Sequence, residues 1–525
     1  MRSHHETEAE HPIWHDGVEW TPLPLLEQAM EVDVVVAGGG ITGLTAAILL
    51  ASEGQRVVLL EADRLGGGTS GATSAQVTAV PDLGYRRLLA DWGAAAGTEY
   101  VVRLNAALEL MDSMVIAERI ACDWRRVPAY WFSDEEELDR LRAEQQAGQQ
   151  LGQSCRLLRE APLPWTTGGA IEFDDQALFH PLRYLLGLAH VAAARGALLF
   201  ERSPVISWQE IDDGVVVHTP VAAVRARALV LATHSPLGVN LVQTELRPIQ
   251  SHICALQPRE EFPDALFWDT ADPYHYLRPA SADGQRLVLV GGGDHKTAHG
   301  DVPAIRAALV ADYIRPRFGE VAVARWWSAQ LFEPADGLPY IGRSPMARHV
   351  HLATGFGGVG LVQGTMAAME LASQLGGERR EGPWKPNRLS LSATPQLVAD
   401  GLDAARCWVG DRLHRTDDAT AGALAPGDGA LLDVDGQRRA VYRDDDGRLH
   451  VLSPVCPHLG CLVRWNGTAR SWDCPCHGSR FAATGEVLEG PAMSGLEPIA
   501  HAGAAVPHPA NIPSPQSADP APAGD

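Results

Sequence analysis

Between residues 31 and 375, short apolar runs alternate with longer stretches in which apolar positions recur at helical spacing. Residues 32–37, 57–60, 229–232 and 287–290 read as buried strands, and 181–194 reads as a helix. This alternation predicts an α/β fold, a Rossmann-type domain joined to a mixed-sheet subdomain. The pattern breaks at 376–392 (GGERREGPWKPNRLSLS), and an amphipathic helical pattern follows over 395–415. Beyond 424, β-type runs are punctuated by Gly427-Asp428-Gly429, Asp435-Gly436, Asp445-Asp446-Gly447 and Thr484-Gly485, which predicts a small all-β domain. The expected organisation is an N-terminal extension (1–30) with the folded core starting near 31, an α/β domain (31–376), a linker and helix (377–423), the all-β domain (424–506), and a Pro/Ala/Ser-rich disordered tail (507–525).

Composition narrows the function. The 525 residues are 46% hydrophobic and 21% charged, a soluble globular profile too long for one core. Lys and Arg number 43 against 65 Asp and Glu, a net charge of -22 without a basic block, which argues against nucleic acid and anionic lipid surfaces. Residues 32–51 have membrane length, but Asp33 and Gly38-Gly39-Gly40 suit a strand, turn and helix, so no membrane span is expected. The N-terminus lacks the basic and apolar regions of a secretory signal, which places the protein in the cytoplasm. Eight cysteines are too few for a disulfide scaffold, yet four fall between 456 and 476, which reads as a metal site.

Gly38-Gly39-Gly40-Ile41-Thr42-Gly43 matches G-x-G-x-x-G directly after an apolar strand. Gly38 serves the tight turn, Gly40 the approach of backbone to a pyrophosphate, and Gly43 helix–strand packing; Glu61, ending the second strand and followed by Ala62, is placed to accept from a ribose hydroxyl. The helix starting at Ile41 and Thr42 points its N-terminal dipole at the phosphates. The plainer reading is a flexible glycine loop, which requires no acid at position 61. The segment Gly66-Gly67-Gly68-Thr69-Ser70-Gly71-Ala72-Thr73-Ser74 adds small hydroxyl side chains close behind.

With these segments the chain resembles the D-amino-acid-oxidase-like FAD family. Further matches are Phe179-His180-Pro181, Ser203-Pro204-Val205 read as strand, 228–234 ending in Thr233-His234, 336–342, and Thr354-Gly355-Phe356-Gly357-Gly358-Val359-Gly360. The resemblance implies adenine bonding by the Val205 backbone and a helix N-terminus, carried by Gly355, Gly357, Gly358, Val359 and Gly360, near the flavin pyrimidine. The resemblance also implies noncovalent FAD, since members that attach the flavin use a Cys shortly before the Asp-Gly-x-Pro segment and 327–334 contains none.

Cys456-Pro457-His458 and Cys474-Pro475-Cys476-His477 each present one Cys and one His from a turn-rich unit. A Rieske 2Fe-2S centre needs two thiolates on one iron and two imidazoles on the other, so Cys456 and Cys474 are assigned to one iron, His458 and His477 to the other. A Cys2His2 zinc site is the alternative, with its usual pairs unmixed. Trp472, Gly478-Ser479-Arg480-Phe481, Gly485 and Gly490-Pro491-Ala492 extend the resemblance to Rieske proteins. That resemblance implies a Cys461–Cys476 disulfide, a sulfide donor at Ser479, and the loss of a second donor because Phe481 stands where a Tyr is usual.

A two-electron flavin beside a one-electron cluster predicts an oxidoreductase that takes an amine or amino-acid-like substrate and exchanges electrons with an external one-electron acceptor or donor protein. The alternatives are an oxygen-using amine oxidase with a structural cluster and a non-enzymatic redox sensor or carrier; a ring-hydroxylating oxygenase is set aside. The resemblance to the FAD family implies an Arg after a strand Pro to hold a carboxylate, but Pro279 is followed by Ala280, and Arg278 is expected to face elsewhere. Tyr274, Tyr276, Trp326 and Trp327 are candidates for an aromatic amine pocket or for core packing; no acid–base pair is assigned, with His180 and His234 only as candidates.

Overall fold

The computed structural model describes residues 11–282, 284–378, 382–388, 401, 406 and 424–500. The tail at 507–525, and the 395–415 helix apart from residues 401 and 406, lie outside the described residues.

A six-stranded sheet runs Tyr340–Arg343, Val350–Thr354, Ala228–Leu231, Val34–Ala37, Val57–Leu60, Leu198–Phe200. All neighbours are parallel except the antiparallel first pair. Every residue of Val34–Ala37, Val57–Leu60 and Ala228–Leu231 is buried, because helices and a further sheet cover both faces; that is why these strands read as unbroken apolar runs. Helix Ile41–Ser52 packs against Pro181–Ala194 and Gly360–Leu375.

A nine-stranded mixed sheet forms the subdomain, with Gln285–Lys296 and Val323–Pro334 flanking Leu246–Leu256 in antiparallel register. The apolar run at 287–290 is the buried middle of one twelve-residue strand. The small domain contains two antiparallel sheets, Gly429–Val434 with Gln437–Arg443 and Leu449–Leu452, and Arg464–Asn466 with Ser471–Asp473, Arg480–Ala482 and Val487–Glu489.

Three expectations need correction. The folded core starts well before residue 31: Ile13 and Trp14 are buried, the Trp14 indole donates to the Thr73 carbonyl at 2.8 Å, and Met30–Glu31 pairs with Ala223–Ala226. This segment anchors through isolated side chains, so it carries no periodicity. The α/β domain extends past 376 at least to Arg388, with Trp384 fully buried and Arg388 ion-paired to buried Asp336 through two 2.7 Å bonds. Ser203-Pro204-Val205 is loop rather than strand, since Pro204 has no N–H for a ladder.

Candidate active site and cluster site

The glycine loop is shaped by close approach. A Cβ on Gly43 would overlap the Gly38 carbonyl, so only glycine lets the helix start this near the strand end. Glu61 ends Val57–Leu60 and bends back over the loop, its carboxylate accepting from Gly39 N–H at 2.7 Å and Asp63 N–H at 2.9 Å. Burial raises its pKa, opposed by those backbone donors. Ser70 Oγ accepts from Ile41 N–H at 3.2 Å, tying the second glycine segment to the helix start.

These elements open onto a cavity of about 2110 Å³. Gly38, Gly40, Ile41, Thr42, Glu61, Ala62, Gly68, Thr69, Ser70, Val205, Thr233, Gly357, Gly358, Val359 and Gly360 all line it. Gly43 and Gly355 do not: the first packs helix on strand, and the second sits against Leu246 and Pro334.

Tyr274 and Tyr276 also line the cavity, their rings 5.9 Å apart, and the Tyr276 hydroxyl lies 3.0 Å from Ser251 Oγ. The tryptophans are packing residues: Trp327 is buried with its N–H on the Ala72 carbonyl, and Trp326 carries the Arg306 guanidinium on its face. Arg278 faces away from the cavity, buried and donating to the carbonyls of Ala75 and Phe179. Of the two histidines, His180 is a helix cap, its Nδ1 accepting from Arg183 N–H. Only His234 faces the cavity, with Nδ1 3.3 Å from Thr69 Oγ1, and burial lowers its pKa to about 4.

The sequence reading missed Asp82. Its exposed surface faces this cavity, where it accepts from Gly358 N–H at 3.0 Å, and desolvation raises its pKa. No motif marks it; a lone acid after a Pro carries no signal until the 358 turn folds over it.

In the small domain, two loops bring Cys456, His458, Cys474 and His477 together. Both cysteines are free and buried, with thiols in hydrogen-bond contact, and the two imidazoles stand edge to face with centroids 4.9 Å apart. Nδ1 of each histidine is buried without a partner, an arrangement that costs free energy unless a metal takes the lone pair. Two thiols and two unpartnered imidazole nitrogens fit a 2Fe-2S centre. Cys461 and Cys476 are disulfide-bonded across the loops. Ser479 Oγ accepts from Ala492 N–H at 3.1 Å and also bonds the Cys456 thiol, whereas Phe481 is fully buried and offers no donor.

Residues 33–374 match the DAO family, FAD dependent oxidoreductase, and residues 415–500 match the Rieske [2Fe-2S] domain. The chain belongs to the DAO family of FAD-dependent oxidoreductases. It therefore carries an FAD site and, in its appended Rieske domain, a 2Fe-2S cluster. It is 30% identical over 507 residues to the putative Rieske 2Fe-2S iron-sulfur protein YhfW of Bacillus subtilis, covering 94% of this chain and 99% of the relative. It is 24% identical to the gamma-glutamylputrescine oxidoreductase of Escherichia coli over 383 residues, 69% of this chain and 87% of that one. Glycine oxidase from Geobacillus kaustophilus shares the fold of the DAO domain, with TM-score 0.55 and 21% identity, covering 68% of this chain and 99% of that structure. Among the described residues no helix is long and apolar enough to cross a membrane.

The Rieske domain sits on the DAO domain through its cluster loops. Gln330 Nε2 donates to the Gly478 carbonyl at 2.9 Å, and the Gln330 carbonyl accepts from Thr69 Oγ1 at 3.3 Å. His458 Nε2 lies 3.0 Å from Gln243 Oε1, and Gly238 N–H donates to the Pro491 carbonyl at 2.9 Å. Glu489 reaches the same cavity as the glycine loop, 4.0 Å from His234. Gln243 and Gln330 escaped the sequence reading because each acts across more than a hundred residues of chain.

Proposed function

We propose that the protein oxidises an amine at the FAD site of its DAO domain and that electrons pass singly between flavin and cluster inside the chain. The observation that carries this reading is the seam: one residue, Gln330, touches Thr69 of the flavin-side loop and Gly478, which follows the cluster-loop His477. Bound flavin would supply two-electron oxidation of a C–N bond, and the cluster one-electron exchange with an external protein donor or acceptor.

The residues have separable tasks. Gly38, Gly40 and the N–H groups opening the helix at Ile41 would hold the pyrophosphate, Glu61 a ribose hydroxyl, the Val205 backbone the adenine, and the turn at 357–360 the pyrimidine. Cys456 and Cys474 would hold one iron, His458 and His477 the other. The substrate assigned is an amine without an anchored carboxylate: Arg278 is spent on backbone carbonyls, whereas Asp82, Tyr274 and Tyr276 offer a carboxylate and two aromatic faces to a cation. The gamma-glutamylputrescine oxidoreductase relative is in keeping with an amine-bearing substrate.

The test is anaerobic mixing of the purified holoprotein with a panel of amines and amino acids, following flavin absorbance and the electron paramagnetic resonance signal of the reduced cluster. Flavin bleaching with cluster reduction by an amine supports the reading. Bleaching with an oxidised cluster and undiminished peroxide formation in Cys456→Ser overturns the electron-transfer part; no response to any amine overturns the substrate part.

A further inference from the structure

The 3-10 turn Leu241–Glu245 follows the loop at 233–240, whose Thr233 and His234 line the flavin cavity. Inside this turn Gln243 is buried and its amide is held at both ends. Nε2 donates to the carbonyls of Pro236 at 2.6 Å and Gly238 at 2.7 Å. Oε1 accepts from Asn240 N–H at 3.0 Å, and the same oxygen faces His458 Nε2 at 3.0 Å. The two carbonyls fix which end of the amide is nitrogen, because reversing it would oppose oxygen to oxygen twice and an N–H to the Asn240 N–H. The group facing His458 is therefore an acceptor, and His458 must present Nε2 with its proton. In a neutral imidazole that leaves the lone pair on Nδ1, the buried atom that has no protein partner.

We propose that Gln243 of the DAO domain is a positioning residue for the cluster: it fixes the tautomer and ring orientation of His458 and lowers the cluster's potential by accepting the imidazole proton's hydrogen bond. Orientation of a ligating histidine through its second nitrogen is how partners beyond the ligands tune a metal. An acceptor on Nε2–H makes the imidazole a stronger donor, which favours the oxidised iron. Docking of the two domains and the cluster's potential are thereby one property. The same contact closes the Nε2 edge of His458 within the chain, so a redox partner meets the cluster elsewhere than on that nitrogen. The inference rests on the assignment of His458 as a cluster ligand, and not on electrons passing from the flavin.

The experiment uses the full-length holoprotein with Gln243→Leu and Gln243→Glu, measuring iron content, the g-values of the reduced cluster, and the midpoint potential by mediated titration at neutral pH. Gln243→Leu removes the amide acceptor and leaves only the Gly238 backbone facing the His458 ring, so the potential is expected to rise and the g-values to shift at native iron content. Gln243→Glu keeps an acceptor and adds negative charge, so the potential is expected to fall. Shifts of opposite sign are a signature that loosened packing alone does not produce. If either variant loses its cluster, the other carries the test. Native g-values and potential in a loaded variant, or shifts of the same sign in both, overturn the proposal. Because mediators equilibrate the cluster directly, these outcomes are independent of whether an amine reduces the flavin.

Discussion

Gly478 and Gln330 meet with no space between them. A Cβ on Gly478 would overlap Gln330 Nε2 and press on Pro248, and the glycine also holds a φ of 76°, which other residues rarely adopt. The cluster loop is thus seated backbone-first on the strands Leu246–Leu256 and Val323–Pro334. Adding a methyl group at such a position costs about 1–3 kcal/mol through overpacking. Gly478→Ala is expected to loosen the seam and slow cluster reduction after rapid mixing with an amine, while flavin reduction keeps its native rate. Stopped-flow absorbance with freeze-quenched resonance spectra separates the two steps.

The Cys461–Cys476 bridge closes a short loop, with a sequence separation of 15. Chain-entropy arguments give such a crosslink about 3 kcal/mol. The double variant Cys461→Ala/Cys476→Ala is expected to lower the unfolding midpoint of the Rieske domain, read from loss of cluster absorbance on heating. The flavin-release transition of the DAO domain is expected to stay near its native temperature.

Arg388 and Asp336 form a buried, two-pronged ion pair, and Arg388 also donates to the Pro339 carbonyl at 2.8 Å. Removing one partner strands a charge in the interior, at a cost of about 3–5 kcal/mol. Arg388→Met is expected to destabilise the DAO domain by this order in denaturant titration, whereas Arg388→Met/Asp336→Leu recovers part of the loss.

His252 is buried against His295, with Arg306 Nε donating to its Nδ1 at 3.3 Å. Burial first, then the Arg306 charge, lowers its pKa to about 2. The native state keeps the ring neutral while the unfolded chain protonates it near 6.5, so stability is complete above that pH and declines as pH falls. The decline approaches about 3 kcal/mol by pH 4 for one such group. His252→Gln is expected to flatten the pH dependence of the denaturant midpoint between pH 6.5 and 4, by about one proton in slope.

The local chemistry was legible in the sequence because it is local. A strand ending in a glycine turn and a helix, an acid one strand later, and two Cys/His loops are each specified within a few dozen residues. Strand 57–60 and helix 181–194 were readable for a similar reason, since burial on one or both faces imposes the period. The loop at Val205 was not, because Pro204 and the long-range Ser203 contacts, including Leu26 N–H on Ser203 Oγ at 3.0 Å, override strand propensity.

By itself the sequence determined the two cofactors and the α/β and all-β classes, and it singled out the two Cys/His loops proposed to hold the cluster. Only the tertiary structure decided how the sites meet: that Asp82 faces the flavin cavity, that Arg278 turns from it, that Trp14 and Trp384 complete the DAO core, and that Gln243 and Gln330 grip the cluster loops. The physical reason is that a hydrogen bond across a domain seam needs one donor and one acceptor at about 3 Å. Neither leaves a periodic or compositional trace in the chain, and only the packing of two separately specified surfaces brings them within reach.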